Sequence, residues 1–173
     1  MSIQRVSGEL MLGSRLKRLG ERLFSEVGRV YRNLAIPFEP AWFPIFFLLD
    51  RHGSLSVTTL AREMGVSDPA ASQLVRRIQQ RGLVEIQPGE RDRRIKMMVL
   101  STSGRKLLKQ VKPVWLALQH TMNEIMPGDN LQHLLTALTS LEDALGQELL
   151  TAQVQHFIGK ILLPQNIHLR SKS

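Results

Sequence analysis

Ser56-Val57-Thr58-Thr59-Leu60-Ala61-Arg62-Glu63-Met64-Gly65-Val66-Ser67-Asp68-Pro69 carries the punctuation of two short helices, and the rest of the chain reads outward from it. Leu60, Ala61 and Met64 fall one helical turn apart, on one face of a helix that Ser56 can cap. Gly65 ends that helix where a left-handed residue is needed, and Val66 is expected to turn back into the core. Ser67 or Asp68 then caps a second helix. Pro69 favours Asp68, because proline suits the first helical position and disfavours a helical residue before it.

The second helix has two faces. Ala71, Leu74, Val75 and Ile78 follow the i, i+3, i+4, i+7 rule and are predicted to point inward. Pro69, Ser72, Gln73, Arg76 and Gln80 follow it on the opposite face, with Arg77 and Arg81 at the edge. That outward face is small and polar at its start and cationic further along. A helix entering the major groove needs this order, with donors and acceptors for base edges first and arginines for phosphates beyond. The pattern alone also fits a solvated amphipathic helix of any small domain.

The segment beyond this helix narrows the choice. Leu83-Val84-Glu85-Ile86-Gln87 alternates like a strand and Pro88-Gly89 breaks it; Glu90-Arg91-Asp92-Arg93-Arg94 precedes a second apolar run, Ile95 to Leu100. This predicts a two-stranded wing with a charged tip. Asp92 can pair with a neighbouring arginine and stiffen the loop, leaving another arginine for the narrow minor groove.

Val66-Ser67, Ser72, Leu74-Val75, Gly82-Leu83-Val84, Asp92-Arg93-Arg94, Leu100-Ser101 and Gly104-Arg105 together resemble the MarR family of winged-helix transcriptional regulators. The wing matches best, in the order Asp-Arg-Arg, a strand, Leu-Ser and Gly-Arg without a gap. The resemblance spans roughly Leu10 to Leu150. It implies a homodimer on a pseudo-palindromic operator in double-stranded DNA, often released by a small molecule. It also implies DNA contacts from the second helix and the wing: Ser67, Asp68, Pro69, Ser72, Gln73, Arg76, Arg77, Arg91, Arg93 and Arg94, with Asp92 stabilising the wing. Gln73, where the family often has a basic residue, and the acid Asp68 depart from the pattern and leave the operator sequence open.

Charge agrees with a polyanionic partner. The 173 residues carry a formal charge of +8 and a sequence pI near 10.6. Residues 51–105 hold ten Lys/Arg against five Asp/Glu, so most of the excess lies on the helix pair and wing. Aromatic residues make up only 5% and strand signals are few, so the expected fold class is mainly α with a small β wing. The absence of cysteine removes disulfide frameworks and thiolate chemistry. No signal-peptide core is evident, and the longest apolar run, Ala41 to Leu49, is far short of the ~20 residues of a membrane span. A cytoplasmic protein with no membrane contact is expected.

The flanks read as long helices. Leu12, Leu16, Leu19, Leu23, Val27, Val30 and Leu34 give a stripe that wants a partner, preceded by a frayed start. Ile36-Pro37-Phe38-Glu39-Pro40 is a connector, Ala41 to Leu49 a buried helix closed by Gly53, and Leu55 a short third strand. After the wing, a helix runs from about Thr102 to Met126 and Pro113 is expected to kink it. Pro127-Gly128-Asp129 stops it, and a final helix carries leucines from Leu131 to Leu149, ahead of a tail with Val154, Phe157, Ile158 and Ile161. The chain is thus divided into an N-terminal dimerisation helix (1–35), a winged helix-turn-helix (36–101) and a C-terminal dimerisation region (102–173). Stripes exceeding what a small winged helix covers are expected to form a core shared between two protomers.

Catalytic chemistry is not in evidence. No phosphate-cradling glycine loop or nucleophilic triad stands out, and no cofactor or metal is expected. His120 and Glu124, one turn apart, could share a metal ion, but a lone His–Glu turn reads rather as surface hydrogen bonding. Tyr31, Trp42, Phe46 and Trp115 either pack the core or, as the resemblance implies for the three helices that carry them, line a cavity for a small aromatic or amphipathic effector, to which Tyr and Trp would bring polar handles. Two other classes fit parts of the pattern: a regulatory remnant of an acetyltransferase fusion, suggested by Val111-Lys112-Pro113-Val114-Trp115, and a protein-interaction module that has lost DNA binding.

Overall fold

The computed structural model describes residues 8–89, 93–146 and 149–162. Two compact units are present, Met1–Leu116 and Ala117–Ser173.

In the first unit, a 3-10 turn leads into α1 (Leu12–Asn33), which buries only Gly28 and Tyr31. Its predicted stripe stands open: Leu12, Leu19, Leu23, Val30 and Leu34 are all exposed. A Pro40–Trp42 turn precedes α2 (Phe43–His52), whose Ile45, Phe46 and Leu49 are buried. Gly53 ends α2 at φ +74°, its amide donating to the Leu49 carbonyl at 2.9 Å, a conformation glycine adopts without penalty.

Strand β1 (Ser54–Ser56) comes next, then α3 (Val57–Glu63), capped as predicted by the Ser56 hydroxyl, which accepts the Thr59 amide at 3.0 Å. Helix α4 (Asp68–Gln80) buries Ala71, Val75 and Ile78, with Leu74 half-buried. Two local expectations are corrected. Ser67, not Asp68, is the N-cap: its backbone is extended and its hydroxyl accepts the Ala70 amide, so Asp68 takes the first helical position and Pro69 the second. The acid of Asp68 then lies in the first turn, where the helix dipole favours it. Val66 is exposed; its amide bonds the Ala61 carbonyl at 3.0 Å while its side chain faces outward.

Strands β2 (Val84–Pro88) and β3 (Lys96–Leu100) form the predicted hairpin, and β1 pairs with β3, giving an antiparallel sheet of order β1-β3-β2. Leu55 and Ile86 both register with Met98, which is fully buried. Pro88, lacking an amide proton, sits on the edge strand, where that loss is tolerated. Helix α5 (Thr102–Ile125) continues through Pro113, so the proline does not end it.

The second unit contains the last turns of α5, then α6 (Asn130–Gly146) and α7 (Leu149–Leu162). Gly128, at φ +66°, makes the break before α6 where the sequence places it. The leucine run lies on α6 and, from Leu149, on α7; residues 147 and 148 lie outside the described residues. Val154, Phe157, Ile158 and Ile161, expected in a tail, lie on α7 and are exposed.

Candidate nucleic-acid interface

Helix α4 is held from beneath. Ala71 and Ile78 are fully buried, and burial of side chains such as Ile78 stabilises by roughly 1.5–3 kcal/mol each. Gly82, at φ +68°, terminates the helix, its amide donating to Gln79 and that of Leu83 to Ile78. With the inner face anchored, the outer face is fixed by helical geometry. Ser67, Asp68, Pro69, Gln73, Arg76 and Arg77 are exposed, and Ser72 is half-buried. Arg81, beyond the helix, pairs with Glu39 at 3.9 Å in an exposed contact of little energetic weight.

The wing hairpin closes where the Gly89 amide donates to the Ile95 carbonyl at 2.8 Å. Arg93 and Arg94 lie in the turn, both exposed. Arg91 and Asp92 lie outside the described residues, and with them the expected Asp92–arginine pair. The geometry offers polar groups and cations on one helix face and, separately, two arginines on a thin hairpin.

The four aromatic residues of the candidate effector site come together. Tyr31, Trp42 and Phe46 are buried and Trp115 is half-buried. They surround Phe38, whose ring centroid is 5.0 Å from Tyr31, 5.7 Å from Trp42, 5.1 Å from Phe46 and 6.3 Å from Trp115. The indole of Trp115 donates to the Tyr31 hydroxyl at 3.0 Å. Burial pushes the Tyr31 hydroxyl above its ordinary pKa and the Trp115 hydrogen bond offsets part of that, so it stays protonated at neutral pH. The Trp42 indole N–H is buried with no acceptor, a costly arrangement for a polar group. Phe38 escaped the sequence reading because its connector has no periodicity; an aromatic between Pro37 and Pro40 was the available signal. Ser101, also missed as a site residue, is buried at the junction of α4, β3 and α5.

Among the described residues no group of three or more His, Cys, Asp or Glu is placed to hold a metal ion. No described helix is long and apolar enough to cross a membrane.

A two-stranded wing in a three-stranded sheet, set on a helix pair whose second helix has an open cationic face, defines a winged helix-turn-helix. A profile of the MarR family matches residues 37–95. Among solved structures, the transcriptional repressor CouR bound to a 23-mer DNA duplex is 28% identical, with 78% of this chain and 95% of that chain covered and a TM-score of 0.65. CouR bound to p-coumaroyl-CoA is 26% identical, covering 78% of this chain and 94% of its own at the same TM-score of 0.65. A mutant MarR from E. coli complexed with operator DNA has 18% identity, 75% and 92% coverage and a TM-score of 0.65, a likeness of fold. No curated protein sequence matches the chain. The match to the MarR family thus falls on the winged helix-turn-helix.

Proposed function

We propose that this chain is a sequence-specific DNA-binding transcriptional regulator, a repressor that acts as a homodimer on a pseudo-palindromic operator. The observation that carries the reading is the outer face of α4, polar at Ser67, Ser72 and Gln73 and cationic at Arg76 and Arg77, beside a wing tipped by Arg93 and Arg94. The helix supplies base-edge contacts, the arginines supply phosphate and minor-groove contacts, and no catalytic step is assigned. CouR, described as a repressor bound to DNA, supports the assignment. Retardation of random-pool duplexes tests it: selected sequences should share two half-sites, and affinity should fall with salt at a slope of about −0.9 per phosphate neutralised. No retention of any duplex at low salt overturns it.

The homodimer is supported by the open stripe of α1 and by the apolar residues of α6 and α7, exposed in the single chain. A two-fold protein matches a two-fold operator.

Release by a small aromatic or amphipathic effector is the finer part of the proposal. The unpartnered Trp42 indole N–H is its support, since a ligand acceptor would satisfy that group. Binding releases DNA only if the effector prefers the released state. Such a compound should quench Trp42 or Trp115 fluorescence and lower operator affinity over the same concentrations. Quenching with unchanged DNA affinity removes the switch; no response across an aromatic library leaves the four residues as packed core.

A further inference from the structure

Three elements meet around Ser101. Helix α4 closes through Gly82 and Leu83, β3 runs directly into Ser101, and α5 begins with the next residue. The buried Ser101 hydroxyl accepts the Gly104 amide at 2.9 Å and so caps α5. Its proton goes elsewhere: the same hydroxyl donates to the Gly82 carbonyl at 2.6 Å, nineteen residues away. The Ser101 amide donates to the Leu83 carbonyl at 3.0 Å. Contact is close enough that a Cβ on Gly104 would lie 2.0 Å from the Leu83 carbonyl oxygen, a backbone atom with little room to yield.

A residue serving only as a helix cap needs only an acceptor. Here the donor is used as well, and it is spent on the carbonyl of Gly82, the positive-φ residue just beyond the C-cap of the reading helix. We infer that Ser101 is a positioning residue for the DNA-reading surface: its hydroxyl pins the end of α4 to the wing strand and to α5. It thereby holds Gln73 and Arg76 in register with the tip arginines without touching nucleic acid. The inference rests on the proposed DNA-binding role, so its test has one arm with DNA and one without.

In the full chain, Ser101→Ala removes both bonds and leaves the Gly82 carbonyl and Gly104 amide unpaired, whereas Ser101→Thr keeps the hydroxyl. Measured well below its melting temperature, S101A should bind a selected operator about tenfold more weakly. Combined with Arg93→Ala/Arg94→Ala, its loss should be smaller than the product of the separate losses, because a displaced wing has already forfeited the tip contacts. S101T should restore both readouts. The chain has no cysteine, so spin labels on cysteines placed at Gln80 and Lys109 give a distance independent of DNA. That distribution should be narrow in the parent, broader or shifted in S101A and narrow again in S101T. A lowered melting temperature with unchanged affinity and unchanged distances makes Ser101 a plain helix cap and overturns the inference. Distances that respond in a chain that binds no DNA would uphold the positioning role while removing the proposed function.

Discussion

The two compact units differ in how they hold together. In the first, the buried apolar side chains run from Tyr31 to Val114, with Ile45, Phe46, Leu60, Ile78, Met98 and Val111 all under 2% exposed. In the second, no described residue is buried, while Leu134, Leu135, Leu145, Leu150, Val154 and Phe157 are exposed. Helix propensity alone does not keep such stripes folded in water, and contiguous apolar surface of this kind marks an interface. The first unit is thus stabilised from within, and under the proposed homodimer the second is stabilised by association. The surface proposed to read DNA belongs to the self-sufficient unit.

The largest expected effect separates the two regimes. Phe46→Ala empties a site packed against Phe38 and should cost about 3–5 kcal/mol, lowering the melting temperature equally at every protein concentration. The same truncation at Phe157, 58% exposed, should act only through association, so its effect should vanish at concentrations too low for association and grow to a plateau as concentration rises. Equal, concentration-independent losses at both positions would erase the contrast.

Next in size is the charge test. Leu145→Asp, and likewise Leu138→Asp, would place an unpaired carboxylate in the shared core and should weaken the dimer by about 2–4 kcal/mol. Sedimentation should then show monomers or aggregate where the parent is dimeric. A well-folded parent monomer at micromolar concentration removes the dimer.

Most of the first unit was legible because its signals are local and paired. Ser56 and Gly65 bracket α3, and Gly53 closes α2, through conformations that few other residues supply. Ala71, Val75 and Ile78 declare the inner face by spacing alone. Misreadings came where two local rules competed or where the answer was non-local. Ser67 and Asp68 can each cap a helix, and the hydroxyl took the role while the acid joined the first turn. Val66 satisfies the turn with its amide, so its side chain was not required inside. Phe38 and Ser101 act through residues far along the chain, Trp115 and Gly82, which no periodicity reveals.

Because the proposed reading face sits on a self-contained core, substitutions there should change binding and leave stability alone. Gln73 is exposed near the start of α4, where a glutamine can bond both edge groups of an adenine. Gln73→Ala should change the preferred base at one operator position by about 1–3 kcal/mol, read from bound-sequence profiles. Arg76→Ala should weaken all sites alike. An unchanged profile for Q73A takes that residue out of direct readout.

The smallest effect concerns the wing, and it asks whether the self-contained unit reaches DNA by a second route. Arg93 and Arg94 are exposed at the tip and contribute nothing to the core, so replacing either with alanine should change stability by no more than about 0.5 kcal/mol. A minor-groove or phosphate contact should still register in binding. Each alanine should lower affinity about tenfold or less at moderate salt and make the dependence of log affinity on log salt shallower by about 0.9 if one phosphate contact is lost. The two variants need not be equal, because an arginine held by a wing acid neutralises less phosphate than one that is not. A shallower slope in one variant alone identifies the arginine that reaches the backbone. A loss of affinity at unchanged slope points instead to contacts with groove-facing base edges, which release no counterion. Parent-like affinity and slope in both variants would leave α4 as the reading element and the hairpin as a support for it.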